Sequence, residues 1–135
     1  MNYPKQILRN IRWSFDNNKF QSQTDFEEEL IKYNEEITDE TFTKDLSENA
    51  LHYPEVVIQY SYWDDDEEDI LEPDFLLRAD NGSYFTIGEL LFKVHNEVCE
   101  RLKEDDHKFF EGFDLWEGEN PNNINSPLYF LQQGS

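Results

Sequence analysis

The strongest periodicity in the chain lies at residues 86–103. Ile87, Leu90, Leu91, Val94, Val98, Cys99 and Leu102 recur at three- and four-residue intervals, which puts them on one face of an amphipathic helix. Thr86 and Glu89 form a capping box at its start, and Arg101 and Lys103 suit the negative end of its dipole. Glu89, Lys93, Asn96, Glu97 and Glu100 are assigned to the opposite, solvent face, with His95 at the boundary of the apolar stripe. A second helix is predicted over SQTDFEEELIKYNEEI, residues 22–37, with Phe26, Leu30, Tyr33 and Ile37 as its stripe. Thr24 and Glu27 make its capping box, Asp25, Glu27 and Glu28 lie near its positive end, and Glu28, Glu29, Glu35 and Glu36 face water. Residues 5–15 place Ile7, Leu8, Ile11 and Phe15 at near-helical spacing, which predicts a short helix, with Trp13–Phe15 compatible with extended chain. Residues 38–50 are polar and show no period beyond room for one helical turn.

Elsewhere the period is two. Residues 55–63, EVVIQYSYW, set Val56, Ile58, Tyr60 and Tyr62 on one face of a strand and Val57, Gln59, Ser61 and Trp63 on the other, with Pro54 marking the start. DFLLRADNGSYFTI reads as a hairpin of residues 75–79 with 83–85 about an Asn81-Gly82 turn. HKFFEGFDLWEG alternates as a strand, with Gly112 marking a bulge or a close approach. ENPNNINSP is a loop by composition, and LYFLQQ a last short strand. No internal repeat or low-complexity linker interrupts the series. The order predicts a single α+β domain over 1–135, a four- to five-stranded antiparallel or mixed sheet with the helices packed on one face.

Charge changes the picture more than any motif. The 135 residues hold 31 acids against 11 Lys and Arg, a formal charge of −20. Solubility of a small domain needs a magnitude of only about 2–8. Phosphate backbones and anionic membrane surfaces would be repelled, while a basic protein would be attracted. Aromatics make up 16% of the chain, which separates it from disordered acidic tails. The single cysteine, Cys99, excludes an internal disulfide and falls on a helix stripe, where a buried structural thiol is the reading. MNYPKQILRNIRW lacks an apolar core of signal-peptide length, and no later stretch is long enough to span a bilayer, so the expectation is a cytoplasmic protein.

SYWDDDEEDILEPDF, residues 61–75, packs six consecutive acids, Asp64, Asp65, Asp66, Glu67, Glu68 and Asp69, between aromatic and apolar residues. A calcium loop would alternate its ligands and carry a glycine; this run does neither, so it reads as an inter-strand loop, with no dedicated metal or cofactor expected. Glu111, among Phe109, Phe110 and Phe113, is the nearest candidate for a carboxylate acid, and an outward position on an edge strand is the competing reading. His52, His95 and His107 show no paired spacing, and no nucleophile, zinc or phosphate-loop motif is present. The expectation is therefore a non-enzymatic binding protein. Two acidic clusters carry it: residues 25–48 with ten acids and 64–74 with eight. The contact residues predicted are Trp63 with Asp64–Asp69, and Glu35, Glu36, Asp39 and Glu40 as a second patch. Aromatics supply desolvated anchors, and carboxylates supply steering.

YFTIGELLFKVHNEV, HKFFEGFDLWEG and SPLYFLQQGS, together with the short, acidic, aromatic-rich character of the chain, resemble the small bacterial immunity proteins of polymorphic-toxin and contact-dependent inhibition systems. The resemblance implies a protein that binds and blocks a cognate toxin, commonly a nuclease with a basic cleft, by covering its active or substrate-binding surface. Two further readings stand beside it. One is a nucleic-acid mimic that inhibits a host DNA-binding protein. The other is a carboxylate enzyme, which would need a concave pocket around Glu111 or His107.

Overall fold

The computed structural model describes residues 3–118 and 126–135. In chain order the elements are β1 (Gln6–Ile7), β2 (Trp13–Ser14), α1 (Gln23–Thr38), β3 (Asn49–Leu51), β4 (Glu55–Gln59), β5 (Tyr62–Asp64) and β6 (Asp69–Leu71). They continue with β7 (Asp74–Arg78), β8 (Phe85–Thr86), α2 (Ile87–Leu102), β9 (Phe109–Leu115) and β10 (Leu128–Gly134). The main sheet runs β1-β9-β10-β4-β7, with β2 also on β9; β10 and β4 are parallel and the other pairs antiparallel. β3 pairs with β8, and β5 with β6, as separate two-stranded ribbons. The result is the α+β architecture with a mixed sheet that the periodicities predict.

Alternation decides what is buried. Val56 and Ile58 of β4, Leu77 of β7, Tyr129 and Leu131 of β10 and Phe113 of β9 belong to one core cluster with Phe26 and Leu30 of α1 and the whole predicted stripe of α2 except Cys99, itself fully buried. Phe110 joins the same core three positions from Phe113, out of step with strict alternation. A register shift makes this possible: Leu131 faces Phe113 while Gln133 faces Phe110, so β9 carries one extra residue. Gly112 sits in that bulge with φ 110°. A Cβ there would fall 2.8 Å from Arg9 Cγ and 3.2 Å from the Ile7 carbonyl, so Gly112 answers both to a bulge and to a close approach.

Residues 5–15 are not helical. β1 and β2 pair with β9 on either side of the bulge, and Leu8 between them takes φ 61°. The unpaired edge of β9 captures this segment, and Asn34 of α1 pins it by accepting from Arg12 N (2.9 Å) and donating to Arg12 O (2.8 Å). Asn34 is buried, while Ile37, predicted in the stripe, is 54% exposed. The cap of α1 is Ser22, whose extended backbone lets Oγ accept from Asp25 N at 3.1 Å; Thr24 lies inside the first turn. Thr86 caps α2, its Oγ1 accepting from Glu89 N at 3.1 Å, but the expected capping box is only half made, because the Glu89 carboxylate turns to Asp80 N and Lys93.

Three other expectations are corrected. β7 and β8 do not form a hairpin. The Asn81-Gly82 turn closes with Gly82 N donating to Ala79 O, and the chain then leaves the sheet so that β8 pairs with β3. Glu89 is buried rather than solvent-facing. Its Oε2 accepts from Asp80 N and from Lys93 Nζ, each at 2.8 Å, fastening the turn to the helix. His95 is fully buried: its Nδ1 accepts from Trp13 Nε1 (3.1 Å) and its Nε2 donates to Asn18 O (3.0 Å), which fixes a neutral tautomer among Trp13, Phe15, Phe20 and Phe26. The predicted loop at 119–127 lies outside the described residues up to Asn125.

Candidate functional site: an acidic cleft with an exposed Trp63–Ile70 pair

The alternation of residues 55–63 continues past β4, but the strand does not. The Gln133 side chain accepts from Ser61 N and donates to Ser61 O, both at 2.9 Å, in place of a neighbouring strand. Released from the main sheet, Tyr62–Asp64 turns back on Asp69–Leu71 with register Tyr62↔Leu71, Trp63↔Ile70 and Asp64↔Asp69. The acidic run is thus the tip of a hairpin. Asp64 Oδ1 accepts from Asp66 N (2.9 Å) and Glu67 N (3.0 Å), Glu68 takes φ 52°, and Asp69 Oδ1 accepts from Ile70 N (2.7 Å). Backbone donors so offset part of the mutual repulsion. Asp66, Glu67 and Glu68 remain exposed at the tip.

The two faces of the hairpin differ. Tyr62 turns inward: its ring stacks with Tyr60 at 6.0 Å, and the Arg101 guanidinium lies 4.6 Å from its centroid while donating to Tyr60 Oη at 3.3 Å. Trp63 and Ile70, directly opposite each other, are 53% and 59% exposed. Trp63 Nε1 donates to Asp65 Oδ1 at 3.0 Å, which holds the indole beside a carboxylate.

A second wall comes from the end of α2. The turn after it carries Glu104, Asp105, Asp106 and His107, and Asp105 bridges the walls: Oδ2 accepts from Trp63 N (2.9 Å) and Oδ1 from His107 N (2.8 Å). Gln133 Nε2 also donates to His107 O at 2.8 Å. Between hairpin and helix lies a cleft of about 470 Å³, lined by Trp63, Ile70, Asp65, Glu100, Arg101, Glu104, Asp105, Asp106, His107 and the neighbouring Ser61 and Tyr62. Its acids outnumber its one permanent cation, and that cation is engaged with the two tyrosines.

The structure therefore joins Trp63 and Asp65 of the predicted contact residues to Ile70, Glu100, Glu104, Asp105 and Asp106, which sequence reasoning did not single out. Ile70 could have been found: it mirrors Trp63 across the acidic run. Glu35, Glu36, Asp39 and Glu40 are not part of this cleft. Glu35 Oε2 accepts from Phe42 N at 2.9 Å, and Asp39 is the left-handed cap of α1 with φ 56°, so two of these acids serve the chain's own geometry.

Of the two positions around which a carboxylate enzyme would need a concave pocket, His107 lines this cleft and Glu111 does not. Glu111 is exposed at the β9 bulge in a hollow with Arg9 and Arg12, not in an apolar pocket. Burial raises the Cys99 thiol above its ordinary pKa, which suits a packing role. Among the described residues no group of three or more His, Cys, Asp or Glu side chains could hold a metal ion, and no helix is long and apolar enough to cross a membrane. No protein-family model, curated protein or solved structure matches the chain.

Proposed function

We propose that the chain is an acidic binding protein of the cytoplasm that neutralises a basic toxin domain by covering its active or substrate-binding surface. One observation carries the reading: an exposed cross-strand tryptophan–isoleucine pair forms the wall of a cleft whose remaining rim is largely carboxylate. An apolar anchor that stays uncovered beside Asp65, Glu104 and Asp106 suits a lysine or arginine side chain, whose stem packs on the indole while its head meets the acids. A nuclease presents such cations because its cleft is built for phosphate. Asp66, Glu67 and Glu68 at the hairpin tip add long-range steering, with association approaching about 10⁸ M⁻¹s⁻¹ at low salt.

The test is co-expression with the basic, growth-arresting domain encoded beside its gene. The wild-type chain restores growth, and Trp63→Ala with Ile70→Ala weakens binding about 30-fold, the scale of a lost anchor of about 2 kcal/mol. Full protection by the double variant, or no growth-arresting product from the neighbouring frame, overturns the reading. Both side chains are more than half exposed, so the variant keeps its fold.

A further inference from the structure

The main sheet ends in an open edge at β7. Among the described residues β7 pairs with β4 alone, and the phase of that ladder is fixed at both ends: Ala79 N donates to Pro54 O at 2.8 Å and Tyr60 N to Pro73 O at 3.1 Å. With Val56 opposite Leu77 and Ile58 opposite Phe75, the main-chain groups of Phe75 and Leu77 point at β4. Those of Asp74, Leu76 and Arg78 point away from it. Arg78 O accepts from Lys93 Nζ at 2.7 Å; the other outward groups have no partner among the described residues. α2 does not close this side: a hollow of about 340 Å³ lies between it and the strand, lined by Leu76, Leu77, Arg78, Phe92, Lys93 and Glu97 among others. An edge of this kind is a template for another strand.

The strand itself states which one. Asp74-Phe75-Leu76-Leu77-Arg78 has opposite charges at its ends and an exposed leucine at its centre. Antiparallel pairing with a second copy, about a two-fold axis through Leu76, sets Asp74 opposite Arg78 of the other copy, Arg78 opposite its Asp74, and Leu76 opposite its Leu76. These are the residues whose N–H and C=O groups point outward, so hydrogen-bond phase and charge register agree. A parallel pairing would bring Asp74 beside Asp74, and sliding the antiparallel register by two residues would set Asp74 opposite Leu76 in one direction and opposite Asp80 in the other. Arg78 is free to take part, because its ion pair with Glu55 is long, 3.7 Å, and its side chain is 74% exposed. Its carbonyl has a second lone pair beside the one Lys93 occupies.

We propose that two copies of this chain pair through their β7 edges to form a symmetric dimer with one continuous sheet. The proposal is independent of the acidic cleft, and salt separates the two contacts. Each chain carries −20, so screening the repulsion between copies strengthens the dimer, whereas screening weakens the docking of a basic partner.

Sedimentation of the full chain up to about 0.5 mM in about 0.3 M salt gives a concentration-dependent monomer–dimer equilibrium, in the range where weak strand pairing is read. Asp74→Arg and Leu76→Lys each weaken the dimer by about 10-fold or more, and Asp74→Arg combined with Arg78→Asp restores it to within about 3-fold of wild type. Thermal unfolding of each variant as a monomer checks that the fold survives, since all three positions are exposed. A chain that stays monomeric throughout, a dimer indifferent to Leu76→Lys, or a charge swap that fails to restore pairing overturns the proposal.

Discussion

The Asp105 carboxylate accepts the backbone N–H of Trp63 at 2.9 Å, joining residues 42 apart in sequence. With its other oxygen on His107 N, this one side chain, only 9% exposed, ties the acidic hairpin to the turn after α2 and so sets the width of the cleft. It is an acid that contributes position rather than displayed charge. Asp64, which closes the hairpin turn, and Glu35, which holds Phe42 N, belong to the same class. The large negative charge is therefore not uniformly available to a partner.

Asp105→Ala leaves the Trp63 N–H without its acceptor. The bond is solvent-exposed, so water can take the vacated place, and the expected cost is about 0.5–1.5 kcal/mol, the net worth of one hydrogen bond. The loss is local, so amide exchange at Trp63 and in β5–β6 speeds up more than exchange in β4, while Asp105→Asn, which keeps a carbonyl acceptor, falls between. Unchanged exchange at Trp63 in the alanine variant would show that the hairpin holds its place without this tie.

His95 makes stability depend on pH. Burial pulls its pKa below the ordinary value of 6.5, with the hydrogen bond to Asn18 O and the charge of Asp16 opposing but not cancelling the effect. The folded chain thus resists a proton that the unfolded chain takes up as pH falls through about 6.5. Stability associated with His95 is complete above that pH and declines below it, by up to about 1.4 kcal/mol per pH unit, until the folded-state pKa is reached. Urea unfolding of the wild type and of His95→Gln between about pH 8 and 5 measures this, because the carboxylate background is common to both. The difference in unfolding free energy between them shrinks as pH falls; a difference independent of pH would mean that His95 is already free to ionise in the fold.

What could be read in the sequence divides by range. α2 was legible because its cap and stripe are local and its apolar face is wide enough to decide burial alone. The β9 bulge was legible because Gly112 interrupts an otherwise alternating strand. The hairpin at 74–86 was not, since an Asn-Gly turn redirects the chain without choosing its next partner, and β8 pairs with β3 more than thirty positions earlier. Residues 5–15 carry helical spacing but are claimed by the β9 edge and by Asn34, neither of them nearby in sequence. In the cleft, Trp63 and the acidic run could be singled out, because an exposed aromatic beside six carboxylates is unusual. Glu100, Glu104 and Asp106 could not, since only the docking of the hairpin on the end of α2 brings them there.

Gly112 and Gly82 separate two kinds of glycine requirement, and their alanine variants should differ in consequence. Gly82, φ 73°, sits in an exposed turn where an added Cβ meets nothing within 4 Å, so Gly82→Ala carries only the backbone penalty, about 1 kcal/mol. Gly112, φ 110°, carries a backbone penalty and a collision as well. The Arg9 side chain can move aside, but Arg9 Cα and Ile7 O, both 3.2 Å from the new atom, belong to the main chain beside the β1–β9 ladder. Gly112→Ala is expected to cost about 3 kcal/mol and to loosen β1 from β9. Denaturant unfolding of the two variants, with exchange at Ile7 and Phe113, checks the contrast. Equal destabilisation, with β1 still protected in Gly112→Ala, would show that the bulge has room for a side chain and that the close approach does not constrain residue 112.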